Sequence, residues 1–383
     1  MATNEQLRRI VIRVVTSLLN LIIGPAGAWV ALGIRGVAGY IVVHTVSRFI
    51  IAELASKKEN VSKRAYRASP ILLFLAGIAP LLFDTWECYV ILVPFLLASF
   101  EGTYWSAFHG FRRSLTSDNE RNSVKSFQKY EILSTVLASI TVILLTVQDL
   151  VEFGGLIGSL LAVLAILIPM SPLPEGASIG FSTSDLSTHR AIFGRLTTGS
   201  FGVISYITTW GMRIVSMDTG GIALLGAMVA MSTVVGFIIS ERNEKLLDAE
   251  DADIRNWKVG NYLAMAGTLA MIASLGLNSN TGFLVSYLVC RGGTSGILHH
   301  LEVRISGQML SGEGGVIGLR ERVKFGAQTR VLLGYLVISL PILAYLGEVP
   351  EITLILFPAL VLVLMCCILN LRTVDLLDSH RLV

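Results

Sequence analysis

Charge is what this sequence has least of. Asp, Glu, Lys and Arg make up 15% of its 383 residues and apolar residues 53%, whereas a soluble chain carries about 25% charge. Such a composition excludes a water-soluble globular protein and predicts a chain solvated mostly by lipid. Cysteine is scarce too: Cys88, Cys290, Cys366 and Cys367 share no metal-ligand spacing, and three of them lie in apolar runs. They read as packing residues. No Gly-Lys-Ser/Thr loop is present to cradle a nucleotide phosphate, and no Gly-x-Ser-x-Gly elbow presents a nucleophile. An ATP motor and a serine hydrolase are therefore not expected. Without a cluster of convergent catalytic groups, the chain reads as no enzyme, with no cofactor and no metal site. A short Gly-containing link, rather than a small-residue cleavage site, follows the first apolar segment, so no cleaved leader is expected.

What the chain has is long apolar runs. A membrane-crossing helix needs about 20 mostly apolar residues. On that measure twelve spans are expected, at 10–31, 35–54, 67–84, 88–109, 127–147, 151–170, 193–215, 220–240, 259–276, 281–300, 327–346 and 350–370. They predict an all-α membrane protein of two six-helix bundles, 1–170 and 191–383, joined by a polar linker over 171–190. Trp86 and Trp257 fall at span ends and read as interfacial anchors.

Charge orients the spans. Arg8 and Arg9, Lys57 to Arg64, Arg112 to Lys125, Arg242 to Arg255 and Arg304 to Lys324 alternate with loops carrying acids and almost no base, such as Asp84, Glu87, Asp149, Glu152, Asp218 and Glu348. Because Lys and Arg accumulate in short cytoplasmic loops, both termini are placed in the cytoplasm, in a plasma or inner membrane. Topology accounts for the basic loops, and nucleic acid is not an expected partner.

The chain also repeats itself. Thr45-Val46-Ser47-Arg48-Phe49-Ile50-Ile51-Ala52-Glu53 recurs half a chain later as Thr233-Val234-Val235-Gly236-Phe237-Ile238-Ile239-Ser240-Glu241. Gly102-Thr103 with His109 recurs as Gly293-Thr294 with His300. Membrane chains duplicated in this way are most often secondary transporters built from two pseudo-symmetric bundles.

Twelve spans, a six-plus-six repeat, a central linker and inside termini resemble the major facilitator superfamily. The signature of that superfamily after the second span is roughly G-x-x-x-D-x-x-G-[RK]-[RK]. Residues Phe49 to Lys58 fit the frame, with Glu53 at the acidic position, Lys57 and Lys58 at the basic pair, and Phe49 and Ser56 replacing the glycines. The second copy keeps Glu241, Arg242 and Lys245, with Phe237 and Glu244 where glycines belong. The resemblance implies that these acids and bases latch the halves on the cytoplasmic side; the alternative is an ordinary loop placed by the positive-inside rule. Two features of drug–proton antiporters are missing: the Gly-Pro motif of the fifth span, and an arginine ahead of Gln-Gly in the fourth, where Phe100-Glu101-Gly102 stands.

Ionisable residues at membrane depth cost several kcal/mol, so they face cavities and often act. Arg48, His44, Glu101, His109, Glu131, Arg213, Arg291 and Arg330 meet that description. Glu101 lies mid-span with His109 two turns on, which suits either proton coupling and substrate contact or a structural pairing with an arginine of another helix. Arg291 sits near the level of Glu101 in the other half, and Arg330 near that of Glu131. These could be bridges that break during transport, or guanidinium sites for an anionic substrate; for Glu131 and Arg330, near the cytoplasmic ends of their helices, the plainer reading is snorkelling. Polar stripes at helical spacing give a cavity-lining set: Thr16 and Asn20; Thr135 and Ser139; Thr198, Ser205 and Thr209. Tyr104, Trp105 and Trp210 are added as aromatic candidates, with close helix packing as the plainer reading of all of them.

These observations predict a monomeric, proton-coupled transporter of a small organic solute or amphipathic metabolite. It would work by rocker-switch alternating access, with export slightly favoured. A lipid transporter, or a non-transporting sensor or assembly partner on the same fold, is the alternative.

Overall fold

The computed structural model describes residues 2–20, 24–56, 59–114, 132–141, 143–144, 154–168, 221–246, 249–298, 326, 328–330, 332–333 and 360–372. The described residues are almost entirely helical and include no β-strand. The helices are α1 (Ala2–Leu18), α2 (Gly24–Ser56), α3 (Glu59–Leu82), α4 (Val93–Ser114), α5 (Ile132–Thr141), α6 (Gly154–Leu167), α7 (Gly221–Leu246), α8 (Ala249–Gly276), α9 (Asn280–Arg291) and α10 (Leu360–Arg372). A π-helical turn, Cys88–Leu92, leads into α4, and another, Gly292–Leu298, follows α9. The span expected at 193–215 and most of that at 327–346 lie outside the described residues.

Among the described residues two helices, over Arg35–Leu54 and Ile254–Gly276, are long and apolar enough to cross a membrane; the other apolar helical stretches described are shorter. Several helices run past their apolar segments into charged sequence. α3 starts at Glu59 and α8 at Ala249, each about ten residues before the expected span. Hydropathy marks only the part in lipid, whereas Glu, Lys, Arg and Ala favour helix in water as well.

α2 is in fact two helices joined at Leu32–Gly33, where Gly33 takes φ 59 and ψ −144. That conformation suits only glycine, and it falls on the link between the first two expected spans. A second tight turn joins α8 to α9. Asn278 there has φ 51, and the Ser279 side chain caps α9 by accepting from the Gly282 N–H at 3.1 Å. Asn tolerates the left-handed region and Ser is a preferred N-cap.

The chain divides into two compact units, the first chiefly Met1–Ser182 and the second chiefly Met228–Gly312 with Gly326–Val383. In the first unit α2 and α3 pack on α4, while α3 and α1 pack on α6. Arg8, almost fully buried, donates from Nε to the Ala165 carbonyl at 3.1 Å, binding the last turn of α6. A guanidinium suits that position because the terminal carbonyls lack helical partners. Ser159 Oγ donates to the Phe74 carbonyl at 3.2 Å and ties α6 to α3.

In the second unit α8 packs on α9 and on the π turn that follows it. Burial along α7 is inverted relative to a soluble helix: Ser232, Thr233, Ser240 and Asn243 are buried, and Met231, Val235 and Ile238 are more than half exposed. Polar atoms inside and aliphatic ones outside is the arrangement that suits lipid, where each unsatisfied polar group is costly. Trp257 departs from expectation. Its side chain is buried rather than anchored at an interface, because α8 begins well before it and places the indole within the helix packing.

Candidate functional site

Inside the first unit α1, α2 and α4 assemble a charged cluster. α2 carries Tyr40, His44 and Arg48 at four-residue steps, so all three lie on one face. α4 brings Glu101 to that face, and the adjoining Gly102 makes the approach possible. A Cβ placed on Gly102 would lie 3.0 Å from the Arg48 carbonyl oxygen and 3.1 Å from the Ala52 nitrogen. α1 ends in a π-helical step at Leu19 and Asn20, the kind of local widening that often accompanies functional sites.

Both carboxylate oxygens of Glu101 are engaged. Arg48 Nη1 donates to Oε2 at 2.6 Å, and Asn20 Nδ2 donates to Oε1 at 3.1 Å. His44 Nε2 stands 3.7 Å from Oε2, an ion pair only when the ring is protonated. Tyr40 donates its hydroxyl to Asn20 Oδ1 at 3.0 Å, and its ring stacks on His44 with centroids 5.7 Å apart. The side chains of Glu101 and Arg48 are 10% and 12% exposed. Such a buried, charge-assisted bond is strong in itself, and its components are costly to separate. One carboxylate is therefore held by a permanent cation, an amide and a titratable ring.

The repeat gives this pair no counterpart. Aligning Thr45–Glu53 with Thr233–Glu241 sets Arg48 against Gly236, and aligning Gly102 with Gly293 sets Glu101 against Gly292. Both charges are missing together from the second copy.

The other expected site residues are placed as follows. Thr16 Oγ1 donates to the Ile12 carbonyl of its own helix at 2.7 Å, and Ser139 Oγ to the Thr135 carbonyl at 2.9 Å. Tyr104 is buried and stacks on Phe100 at 5.1 Å. Arg291 lies over the Tyr287 ring, 6.0 Å from its centroid. Arg330, on the surface, donates from Nε to the Gly326 carbonyl at 3.3 Å. Of the expected latch, Glu53 is partly buried, Arg242 is exposed, and Glu241 lies 4.0 Å from Lys245 one turn along the same helix. Lys57, Lys58, Glu131, Thr198, Ser205, Thr209, Trp210 and Arg213 lie outside the described residues, as do the side chains of Trp105 and His109.

Sequence reasoning did not find Tyr40, although its four-residue step to His44 and Arg48 was a legible signal. It also missed a set of buried amides in the second unit. Asn243 Nδ2 donates to Asn256 Oδ1 at 2.6 Å, and Asn370 Nδ2 to Asn261 Oδ1 at 2.8 Å. Among the described residues no group of three His, Cys, Asp or Glu could hold a metal ion.

Neither a family model nor a curated protein matches this sequence. Solved structures do. A bacterial homologue of the iron transporter ferroportin, in its inward-facing state, matches with a TM-score of 0.64 at 14% identity, over 97% of this chain and 98% of the other. A bacterial metal transporter matches with a TM-score of 0.59 at 15% identity, over 97% of each chain. A variant of the E. coli fucose:proton symporter matches with a TM-score of 0.57 at 14% identity, also over 97% of each. The chain thus shares the fold of these three proteins along nearly its whole length, and these neighbours are transporters, not enzymes.

Proposed function

We propose that this chain is an integral membrane secondary transporter in which the Arg48–Glu101 pair is the exchangeable coupling element. The observation that carries the reading is the 2.6 Å bond between the buried Glu101 and the largely buried Arg48 on different helices, in a site that also holds His44 and Asn20. A proton arriving at Glu101 cancels one charge of the pair and frees the Arg48 guanidinium to hold an anionic group of the substrate. Loss of the proton restores the bond and expels that group. Twelve spans in two six-helix bundles, with both termini in the cytoplasm and a Glu53, Lys57, Lys58, Glu241, Arg242 and Lys245 latch, supply alternating access. The cargo is a small organic solute or amphipathic metabolite with an anionic group, which binds together with the proton and so moves in the same direction as it, through a monomer. Kinship of fold with a proton symporter supports the coupling.

Flux measured in proteoliposomes under an imposed pH gradient tests the proposal. The wild type should respond to the gradient, and Glu101→Gln should retain exchange at equilibrium while losing the response. A full pH response in Glu101→Gln would remove the pair from coupling, and the absence of any flux would favour the sensor or assembly reading.

A second reading is transport of a divalent metal, favoured by the names of two structural neighbours, the ferroportin homologue and the metal transporter. Iron(II) and cobalt(II) uptake in the same vesicles separates it from organic-solute transport.

A further inference from the structure

A buried carboxyl group that gains a proton needs an acceptor for it, since an unmade buried donor costs about 1–3 kcal/mol. Among the described residues three side chains face the Glu101 carboxylate. Arg48 Nη1 is 2.6 Å from Oε2, Asn20 Nδ2 is 3.1 Å from Oε1, and His44 Nε2 is 3.7 Å from Oε2. A guanidinium donates and cannot accept. The Asn20 amide turns its N–H to Glu101, and its oxygen accepts the Tyr40 hydroxyl at 3.0 Å. Tyr40 is itself buried, and it lies so close to Gly24 that a Cβ there would fall 2.5 Å from its hydroxyl oxygen. That leaves His44, whose neutral ring carries one accepting nitrogen.

The same nitrogen can also hold the proton. When the proton passes from Glu101 Oε2 to His44 Nε2, the O–H bond breaks and an N–H bond forms. The carboxyl becomes a carboxylate and the imidazole an imidazolium, and the total charge is unchanged. Shortening 3.7 Å to hydrogen-bond length takes about 1 Å of travel, once Arg48 has left Oε2. A proton held by two groups so close belongs to the pair rather than to either residue.

We propose that His44 is the second half of the proton site: the coupling proton lies between Glu101 Oε2 and His44 Nε2, where it replaces Arg48. The inference rests on the coupling role of Arg48 and Glu101 and says where their proton sits. Tyr40 is a positioning residue for both partners. Its hydroxyl fixes the Asn20 amide, and its ring lies parallel to His44 within 9° at 5.7 Å. The other described groups that could titrate or carry charge stand apart. On the π turn against α2, Tyr89 lies against Gly27, far along the chain from His44, and Cys88 is a buried thiol. On α3, Arg67 is exposed. On α1, Arg8 and Arg13 come two turns or more before Asn20.

Flux in proteoliposomes under an imposed pH gradient, with His44→Phe beside Glu101→Gln, tests the inference. Phenylalanine keeps a ring against Tyr40 and removes the nitrogen, so a role in packing alone would survive. His44→Phe should retain exchange at equilibrium and lose the response to the gradient, as Glu101→Gln does. If His44→Phe keeps the response that Glu101→Gln loses, the shared site falls and the coupling role of the pair stands. If both keep it, both readings fall. A response lost only in His44→Phe also overturns the shared site. Histidine NMR on the full chain in detergent micelles needs no His44 variant. Of the six histidines, one should titrate at a different pH in Glu101→Gln than in the wild type. Six unmoved midpoints overturn the proposal even where His44→Phe fails to fold.

Discussion

Arg48 and Glu101 bond at 2.6 Å between α2 and α4, and in the second copy of the internal repeat both positions are glycine, Gly236 and Gly292. The pair is present or absent as a unit. That pattern fits a bond whose halves have no use apart, since a buried charge stripped of its partner is far more costly than a buried pair.

Removing one charge should therefore destabilise more than removing both. Arg48→Gln or Glu101→Gln alone should cost about 3–5 kcal/mol, and the double variant clearly less than the sum. Unfolding in detergent, followed for the wild type, both single variants and the double, measures the coupling. Strict additivity would show that the two side chains do not depend on each other.

Close approach of α4 to α2 rests on Gly102. A methyl group there meets backbone atoms of Arg48 and Ala52 at 3.0 and 3.1 Å, and backbone cannot swing aside as a flexible side chain can. Gly102→Val should lower stability by about 1–3 kcal/mol and widen the α2–α4 spacing. Spin labels on the two helices would read the separation, and an unchanged distance with unchanged melting would contradict the account.

Buried amides brace the second unit. Asn243 and Asn256 bond at 2.6 Å, and Asn256 also reaches the Ser240 hydroxyl at 3.4 Å. Asn256→Leu leaves Asn243 unsatisfied and should cost about 1–2 kcal/mol. Adding Asn243→Leu should recover part of that loss. Thermal melting of the two variants side by side checks the order.

Lys245 offers the opposite case. It is exposed, and it pairs with Glu241 at 4.0 Å one turn along the same helix. Such pairs are worth well under about 1 kcal/mol, so Lys245→Ala should leave the melting temperature almost unchanged. If the residue belongs to the latch, its flux in vesicles should nonetheless change severalfold; unchanged flux would leave it an ordinary surface lysine.

Much of the architecture was legible without coordinates. Hydropathy runs located the helices α2, α3, α4, α6, α7, α8 and α9, because the cost of polar atoms in lipid acts on composition directly. The Gly-containing link was legible as the break at Gly33, since φ 59 suits glycine alone. Glu101, His44, Arg48 and Asn20 were each marked as polar groups in apolar surroundings.

Partnership was another matter. Nothing in sequence spacing told that Glu101 meets Arg48 and Asn20 within its own unit, or that Trp257 is buried among helices rather than seated at an interface. Nor did it tell that Asn261 and Asn370 share a hydrogen bond. Depth in the membrane is a one-dimensional property of the chain, fixed by the transfer energies of successive residues, so sequence alone determines it. Which buried group faces which depends on helix rotation and close approach, set by residues far apart such as Gly102 and Ile51, and only the tertiary structure decides that.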